Sequence, residues 1–73
     1  MSQPEMIPVT SSNIESVGYD AENEMVYVQF LNGSTYTYKG VPQHEFENLL
    51  YAPSLGSYMH RNYKNVYPYE KVG

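Results

Sequence analysis

The chain of 73 residues contains no cysteine and no tryptophan. The absence of cysteine excludes disulfides, thiolate metal sites and a cysteine nucleophile, so the fold is stabilised by packing alone. Nine tyrosines and only two phenylalanines mean that the aromatic part of the core is largely tyrosine. Because a buried tyrosine hydroxyl needs a partner or access to water, we expect many of these rings at the margin of the core.

Basic residues are also scarce. Four Lys and Arg residues stand against eight Asp and Glu residues, which gives a formal net charge of -4 at pH 7. This balance gives little long-range attraction for phosphate and disfavours nucleic-acid binding over the whole surface. The first ten residues have neither a basic start nor a long apolar run, so we expect no signal peptide, no membrane span and a cytoplasmic location.

The pattern predicts one α+β domain that begins with a three-stranded antiparallel β-meander. Residues 14–19, 25–31 and 34–39 are rich in β-branched and aromatic side chains, and polar turns separate them. Residues 1–11, which contain Pro4 and Pro8, are expected to be a flexible lead-in. The domain is therefore placed at residues 12–69, with residues 70–73 as a C-terminal tail.

Two short helices are predicted after the meander, packed on one face of the sheet. Pro42 suits a first helical position, and residues 43–52 follow with apolar side chains at helical spacing. Pro53 ends this helix, and Ser54 is a typical N-cap for the second. The second helix is expected to end before Pro68. Its apolar stripe comprises Leu55, Met59, Tyr63 and Val66.

The Asn32–Gly33 turn allows two registers for the second hairpin. A two-residue turn places Phe30 opposite Thr35 and mixes polar with apolar side chains on both faces. A three-residue loop with Gly33 in the left-handed conformation places Val28 opposite Tyr36. This second register is favoured because it gathers the apolar side chains on one face. That face comprises Val26, Val28, Phe30, Tyr36 and Tyr38.

In this order and spacing, the residues resemble the KTSC domain family, named for its occurrence at the C-terminus of some lysyl-tRNA synthetases and also found as small stand-alone proteins. The resemblance extends from Ser12 to about Tyr69. It comprises Val17-Gly18-Tyr19-Asp20, Val26, Val28, Phe30, Tyr36-Thr37-Tyr38, Gly40-Val41-Pro42, Phe46, Leu49, Ala52, Ser54, Gly56 and Tyr67. The resemblance implies an association with RNA.

Tyrosines on the sheet are the first candidate binding residues. Tyr36 and Tyr38 would offer a stacking platform for unpaired bases, but the favoured register places them under the helices as core. Tyr27 and Lys39 lie on the opposite, solvated face and are the better open platform. Gly33, Tyr36, Tyr38, Ser54 and Gly56 are assigned structural roles, with Ser54 as a cap and Gly56 at a close backbone approach.

The second candidate site is a basic stripe on the second helix. Ser57, His60, Arg61 and Lys64 recur at helical spacing, which would suit a phosphate or an acidic partner. The alternative is a solvated helix face with its cations near the C-terminus, where they are favourable without a ligand.

Catalytic and metal-binding residues are few. His44 and His60 are the only histidines, and neither stands in a recognisable nucleophile or acid–base motif. His44 and Glu47 lie one helical turn apart, but two ligands do not make a zinc site. We therefore expect no enzyme activity, no metal and no cofactor.

Two functions follow as hypotheses. The first is a small binding module that contacts RNA through the basic stripe and nearby tyrosines. The second is a small interaction or inhibitory module, of phage or bacterial type, that binds a host or partner protein through its tyrosine-rich acidic surface. A homodimer formed through a sheet edge is a further expectation, because a short meander leaves its edges unpaired.

Overall fold

A continuous antiparallel sheet forms the centre of the computed structural model, which describes residues 4–73. Its strands follow the chain in order, each paired with the next. Two helices cover one face of the sheet, and the last strand follows them. The elements are β1 (Ile7–Pro8), β2 (Ile14–Asp20), β3 (Met25–Phe30), β4 (Thr35–Lys39), α1 (Gln43–Leu50), α2 (Leu55–Asn62) and β5 (Tyr69–Lys71).

The register of the β3–β4 hairpin is the one with the three-residue loop. Val26 pairs with Tyr38, and Val28 pairs with Tyr36. The Phe30 amide donates to the Ser34 carbonyl at 2.8 Å, and the loop ends at Gly33, whose φ is 94°. That conformation suits glycine because it has no Cβ to clash with the backbone. The predicted segregation of the hairpin faces is confirmed.

The prediction of a three-stranded sheet is wrong in its number of strands. The described chain has five: β1 lies inside the segment assigned to a flexible lead-in, and β5 extends into the expected tail. The sequence did not reveal β1 and β5 because strands of two or three residues are too short to show an alternating pattern. β5 also pairs with β4 only after both helices have intervened, so no local turn reveals it.

The core lies between the sheet and the helices. Tyr63 is fully buried at its centre, where its ring meets Tyr38 edge to face and its hydroxyl donates to the Glu45 carbonyl at 3.3 Å. The margin is aromatic too, since Tyr19 stacks on Phe46. The buried apolar residues are Ile14, Val17, Val26, Val28, Tyr38, Val41, Phe46, Leu49, Leu55, Met59 and Tyr63.

Both helices are shorter than the apolar pattern indicates. α1 ends at Leu50, and α2 ends at Asn62 with Tyr63 as its C-cap. The Lys64 amide donates to the Met59 carbonyl, five residues back, so the chain has already left the α-helical pattern there. Val66 was expected on the buried stripe of α2, but it is 61% exposed because the chain turns before reaching it.

Replacing Gly33 with valine should destabilise the protein through backbone strain alone. A Cβ at Gly33 would meet no atom within 4 Å, so packing does not oppose the change. The left-handed conformation should cost about 1–2 kcal/mol, which lowers the melting temperature of a domain of this size by at least about 4 °C. Thermal unfolding measures the loss. Gly33→Asn should lose less, and an unchanged melting temperature for Gly33→Val would contradict the assignment.

Stability should fall at alkaline pH because of the buried tyrosines. Burial raises the pKa of Tyr63, the Glu45 carboxylate adds to the rise, and burial also raises the pKa of Tyr38. The folded protein therefore retains protons that the unfolded chain releases above about pH 10, so this stability is present below that pH and declines above it. Each such tyrosine should contribute a slope approaching about 1.4 kcal/mol per pH unit.

Urea unfolding between about pH 8 and about pH 11 measures this decline. Tyr63→Phe removes one titrating group, so its stability should fall less steeply than that of the original chain over the same range. An equal slope for both proteins would show that Tyr63 is not responsible.

Candidate functional site

A groove opens between α2 and the β4–β5 side of the sheet, on the face that carries the helices. Its volume is about 360 Å³. We call it the tyrosine groove because three of its lining residues are tyrosines from β4 and β5. The lining residues are Asn13, Phe30, Tyr36, Tyr38, Gly56, Met59, His60, Lys64 and Tyr69.

Aromatic rings form one wall of the tyrosine groove. The ring centroid of Tyr69 lies 6.0 Å from that of Tyr36 and 5.8 Å from that of Tyr38, with tilted planes. Phe30 meets Tyr36 edge to face at 5.7 Å. Tyr38 is buried, Tyr36 is half-buried and Tyr69 is 57% exposed. The wall therefore changes from core to open surface over three rings, and Tyr69 offers an accessible aromatic face.

Positive charge lies beside this wall. His60 reaches the tyrosine groove from α2, and both His60 and Lys64 are exposed. Lys64, predicted to lie on the second helix, is in the turn that follows it, because α2 ends at Asn62. Lys71 is the cross-strand partner of Tyr36, so the two side chains share the groove face of the sheet. None of the residues that line the groove is acidic.

Most acidic residues lie elsewhere. Glu70 is in β5 between Tyr69 and Lys71, but its side chain is on the outer face of the sheet, where it pairs with Lys39. Asp20, Glu22 and Glu24 are at the β2–β3 turn, at the opposite end of β3 from Phe30, which lines the tyrosine groove. Glu45 and Glu47 are on α1, where Glu45 accepts a hydrogen bond from the Tyr58 hydroxyl. The acidic residues are therefore unevenly distributed over the surface, and the tyrosine groove is a basic region of an acidic protein.

The hydroxyl of Tyr38 remains a donor at neutral pH. Burial raises its pKa, and its neighbours Tyr69 and Tyr36 raise it further. A phenol that keeps its proton donates a hydrogen bond to an anionic or carbonyl oxygen and adds no negative charge to a site that already carries cations. The tyrosine groove thus combines aromatic surface, hydroxyl donors and positive charge.

The structure divides the predicted basic stripe between two grooves. His60 and Lys64 border the tyrosine groove, whereas Ser57 and Arg61 line a smaller groove of about 290 Å³ on the other side of α2. The second groove also includes the helix cap Ser54, whose hydroxyl accepts a hydrogen bond from the Ser57 amide at 3.4 Å. The stripe is therefore a ridge between two concave surfaces.

Tyr27 and Lys39 lie on the opposite face of the sheet, away from both grooves. Lys39 is 3.9 Å from Glu70, an ion pair between two exposed side chains. This outer face is less solvated than its sequence pattern indicates, since Ser16 is 6% exposed and Thr37 is 2% exposed. Within residues 4–73, the buried Thr37 hydroxyl has no hydrogen-bond partner.

Gly18 explains part of this burial. It pairs with Tyr27 on the outer face, and the N-terminal segment crosses directly over it. A Cβ at Gly18 would lie 2.8 Å from the Met6 sulfur, 2.9 Å from the Glu5 carbonyl oxygen and 3.3 Å from Pro4. Glycine at this position therefore forms a notch that accepts residues 4–6, which lie beside the Tyr27 platform.

The structural roles assigned to Ser54 and Gly56 have direct counterparts in the fold. Ser54 is the N-cap of α2. Gly56 lies in the first turn, where a Cβ would be 3.1 Å from the side-chain oxygen of Asn13. The Asn13 side chain thus approaches the start of α2 closely, and Asn13 and Gly56 both border the tyrosine groove.

Sequence reasoning missed the contribution of Asn13 to this site and the position of Tyr69 beside the β4 tyrosines. They lie at opposite ends of the chain, and only the pairing of β5 with β4 brings Tyr69 beside Tyr36 and Tyr38. The density of tyrosine near the C-terminus was the one available indication. Within residues 4–73, no three acidic or histidine side chains are grouped as a metal site, and no helix is long and apolar enough to cross a bilayer.

The fold and groove define a small α+β domain in which an antiparallel sheet carries two helices on one face. The KTSC domain family model matches residues 10–67, and the chain belongs to this family, as its sequence predicted. β1 and β5 lie outside the matched residues.

Similar proteins agree with this assignment. The crystal structure of the KTSC domain protein YPO2434 from Yersinia pestis matches with a TM-score of 0.88 at 38% identity, covering 94% of this chain and 97% of that chain. A protein of Tsukamurella paurometabola is 43% identical over 54 residues, which are 74% of this chain and 81% of that protein. An uncharacterized protein of Stutzerimonas stutzeri is 36% identical over 58 residues, 80% of this chain and 82% of its own.

Gly18→Ala should displace the N-terminal segment. The added methyl group would contact a backbone oxygen as well as the flexible Met6 side chain, so residues 4–6 must move. We expect a changed Met6 methyl resonance, faster amide exchange in residues 4–8, and a loss of up to about 1–3 kcal/mol in unfolding free energy.

Gly56→Ala is the matched control, because its methyl group would meet only the movable Asn13 side chain and would raise helix propensity. It should be neutral or stabilising. If Gly18→Ala leaves the Met6 resonance and the stability unchanged, the notch does not hold the segment.

Proposed function

We propose that this protein is a non-enzymatic binding module that takes unpaired RNA bases in the tyrosine groove. The observation that carries the proposal is the exposed Tyr69 ring beside Tyr36, bordered by Lys64 and His60 and by no acidic residue. The association of KTSC domains with lysyl-tRNA synthetases, noted above from resemblance, is consistent with RNA as the nucleic acid.

The energetics favour contact through stacking. A base stacked on an aromatic side chain is worth about 1–3 kcal/mol, and stacking tolerates any base. The exposed part of the groove wall is essentially Tyr69 with the margin of Tyr36, so it accommodates one or two bases. Lys64, Lys71 and His60 are placed to contact the adjoining phosphates.

The charge distribution supports the same proposal. A net charge of -4 opposes approach of RNA to the protein as a whole. Five of the eight acidic residues lie at the β2–β3 turn and on α1, and Glu70 of β5 lies on the outer face, so the repulsion is weaker at the groove. Binding should therefore be weak and salt-dependent, with a slope of about -0.7 per phosphate contacted in a plot of log affinity against log salt.

Fluorescence anisotropy with a short labelled single-stranded RNA tests the proposal. Tyr69→Leu keeps an apolar side chain and removes the stacking ring, so affinity should fall by about 5-fold or more. Lys64→Ala should reduce both the affinity and the salt slope. The controls are Tyr51→Leu, at an 85% exposed tyrosine after α1, and Lys39→Ala, on the outer face. Both should bind as the unaltered protein does.

Equal losses in Lys39→Ala and Lys64→Ala would indicate general electrostatics and contradict the groove as the site. The absorbance ratio at 260 and 280 nm of the purified protein gives an independent measure of bound nucleic acid. If no RNA binds while a protein partner co-purifies, the interaction-module hypothesis replaces this proposal.

A further inference from the structure

The two edges of the sheet are protected to different degrees. β1 is only two residues long, and one of them is Pro8, which cannot donate to an added strand. β5 contains no proline within Tyr69–Lys71, and all three of its residues are exposed. In the described part of the chain, β4 covers one side of β5, and no strand covers the other. β5 is therefore the edge that is open to pairing.

The hydrogen bonds to β4 show which backbone groups of β5 face outward. The Lys39 amide donates to the Pro68 carbonyl at 3.0 Å, and the Val72 amide donates to the Thr35 carbonyl at 2.8 Å. Residues alternate along an antiparallel strand, so Pro68, Glu70 and Val72 direct their backbone groups toward β4. The N–H and C=O groups of Tyr69 and Lys71 consequently point away from the sheet.

We propose that β5 pairs antiparallel with β5 of a second copy of this chain, about a two-fold axis that passes between the two Glu70 residues. Tyr69 then lies directly opposite Lys71 of the second copy, and each such pair exchanges both N–H···O bonds. Directly opposite residues of a sheet share a face. The helices and tyrosine grooves of both copies therefore lie on the same side of one continuous sheet.

The outward backbone groups of Tyr69 and Lys71 allow several registers between two copies. The proposed register is favoured because its facing side chains suit each other best. If the two-fold axis is moved to Lys71, each Lys71 lies opposite Lys71 of the other copy, which places two like charges on the groove face. A shift toward the N-terminus places Tyr69 opposite Tyr69 but brings in Tyr67, whose amide already donates to the Tyr63 carbonyl. The proposed register instead sets an aromatic ring against a cation twice, a favourable contact.

On the outer face, charge opposes the pairing in part. The register places the two Glu70 side chains opposite each other, and like charges there oppose association. Each Glu70 has Lys39 of its own chain 3.9 Å away on the same face, which offsets part of the repulsion. Pro68 of one copy also lies opposite Val72 of the other, which is 51% exposed in the single chain.

The second copy would also complete the tyrosine groove. Lys71 of one copy lies beside Tyr69 of the other, so each groove gains a cation from the partner chain, and the two grooves flank the axis. This consequence rests on the proposed function, whereas the pairing itself rests on the edge geometry alone. The ligand of the dimer would be a single strand long enough to contact both grooves.

Sedimentation velocity on the full chain, without RNA, tests the pairing between about 10 µM and about 1 mM, the range expected for a small interface. We expect a concentration-dependent monomer–dimer equilibrium. Lys71→Pro removes an outward amide and leaves the bonds to β4 intact, so it should weaken the dimer at least about tenfold. Glu70→Gln relieves the like-charge contact and should strengthen association about two- to fivefold.

Two variants serve as controls, and circular dichroism checks that every variant is folded. Glu47→Gln makes the same charge change on α1, and Tyr51→Leu alters an exposed side chain far from β5. Both should associate as the unaltered chain does. A monomer at every concentration overturns the proposal, and so does a dimer that Lys71→Pro leaves intact, because it must use another surface.

RNA binding and dimerisation can each fail without the other. If the chain dimerises as described and RNA does not bind, the edge pairing stands and the groove loses its assigned ligand. If RNA binds with equal affinity to the unaltered chain and to a folded monomeric Lys71→Pro variant, the second copy contributes nothing to the groove. That result overturns the inference that the second copy completes the tyrosine groove, and it leaves the proposed RNA binding in place.

Discussion

The three-residue β3–β4 loop sets the register of the hairpin and so determines which side chains face the helices. Most of the structure depends on this register. With Gly33 at φ 94°, Val26 and Val28 lie on the same face as Tyr36 and Tyr38. A slip of one residue in β4 would bring Thr35 and Thr37 onto the face of the valines and turn Tyr36 and Tyr38 to the outer face, because side chains alternate along a strand. The tyrosine groove exists because the same register carries two aromatic rings past the margin of the helices.

Tyrosine suits both the core and its margin because the ring favours burial while the hydroxyl needs a hydrogen-bond partner or water. In the core, the hydroxyl of Tyr63 finds a backbone carbonyl, and its ring contributes a large buried volume. At the margin, the rings of Tyr36 and Tyr69 pack against each other and line the groove. The same residue type therefore supplies both the interior and the candidate binding surface, and composition alone cannot separate the two roles.

Much of this fold follows from local sequence, and the remainder depends on long-range contacts. Apolar periodicity and turn residues predicted β2–β4, both helices and the hairpin register. β1 and β5 escaped prediction because they are too short to show a period. Burial of the outer face was also unforeseen, since it depends on residues 4–6 lying over Gly18. The groove depends on β5 as well, which brings Tyr69 to β4 from beyond two helices.

β5 therefore links the candidate site to the edge of the sheet. One side of this strand supplies Tyr69 to the tyrosine groove, and the backbone of its other side has no strand beside it within residues 4–73. Proteins usually protect such an edge with proline, charge or a covering segment. Here proline protects β1, whereas β5 has no proline, and the proposed register sets Lys71 of each copy beside Tyr69 of the other. The contact between the two Glu70 side chains opposes this pairing and Lys39 offsets part of that repulsion, so the edge suits a reversible dimer.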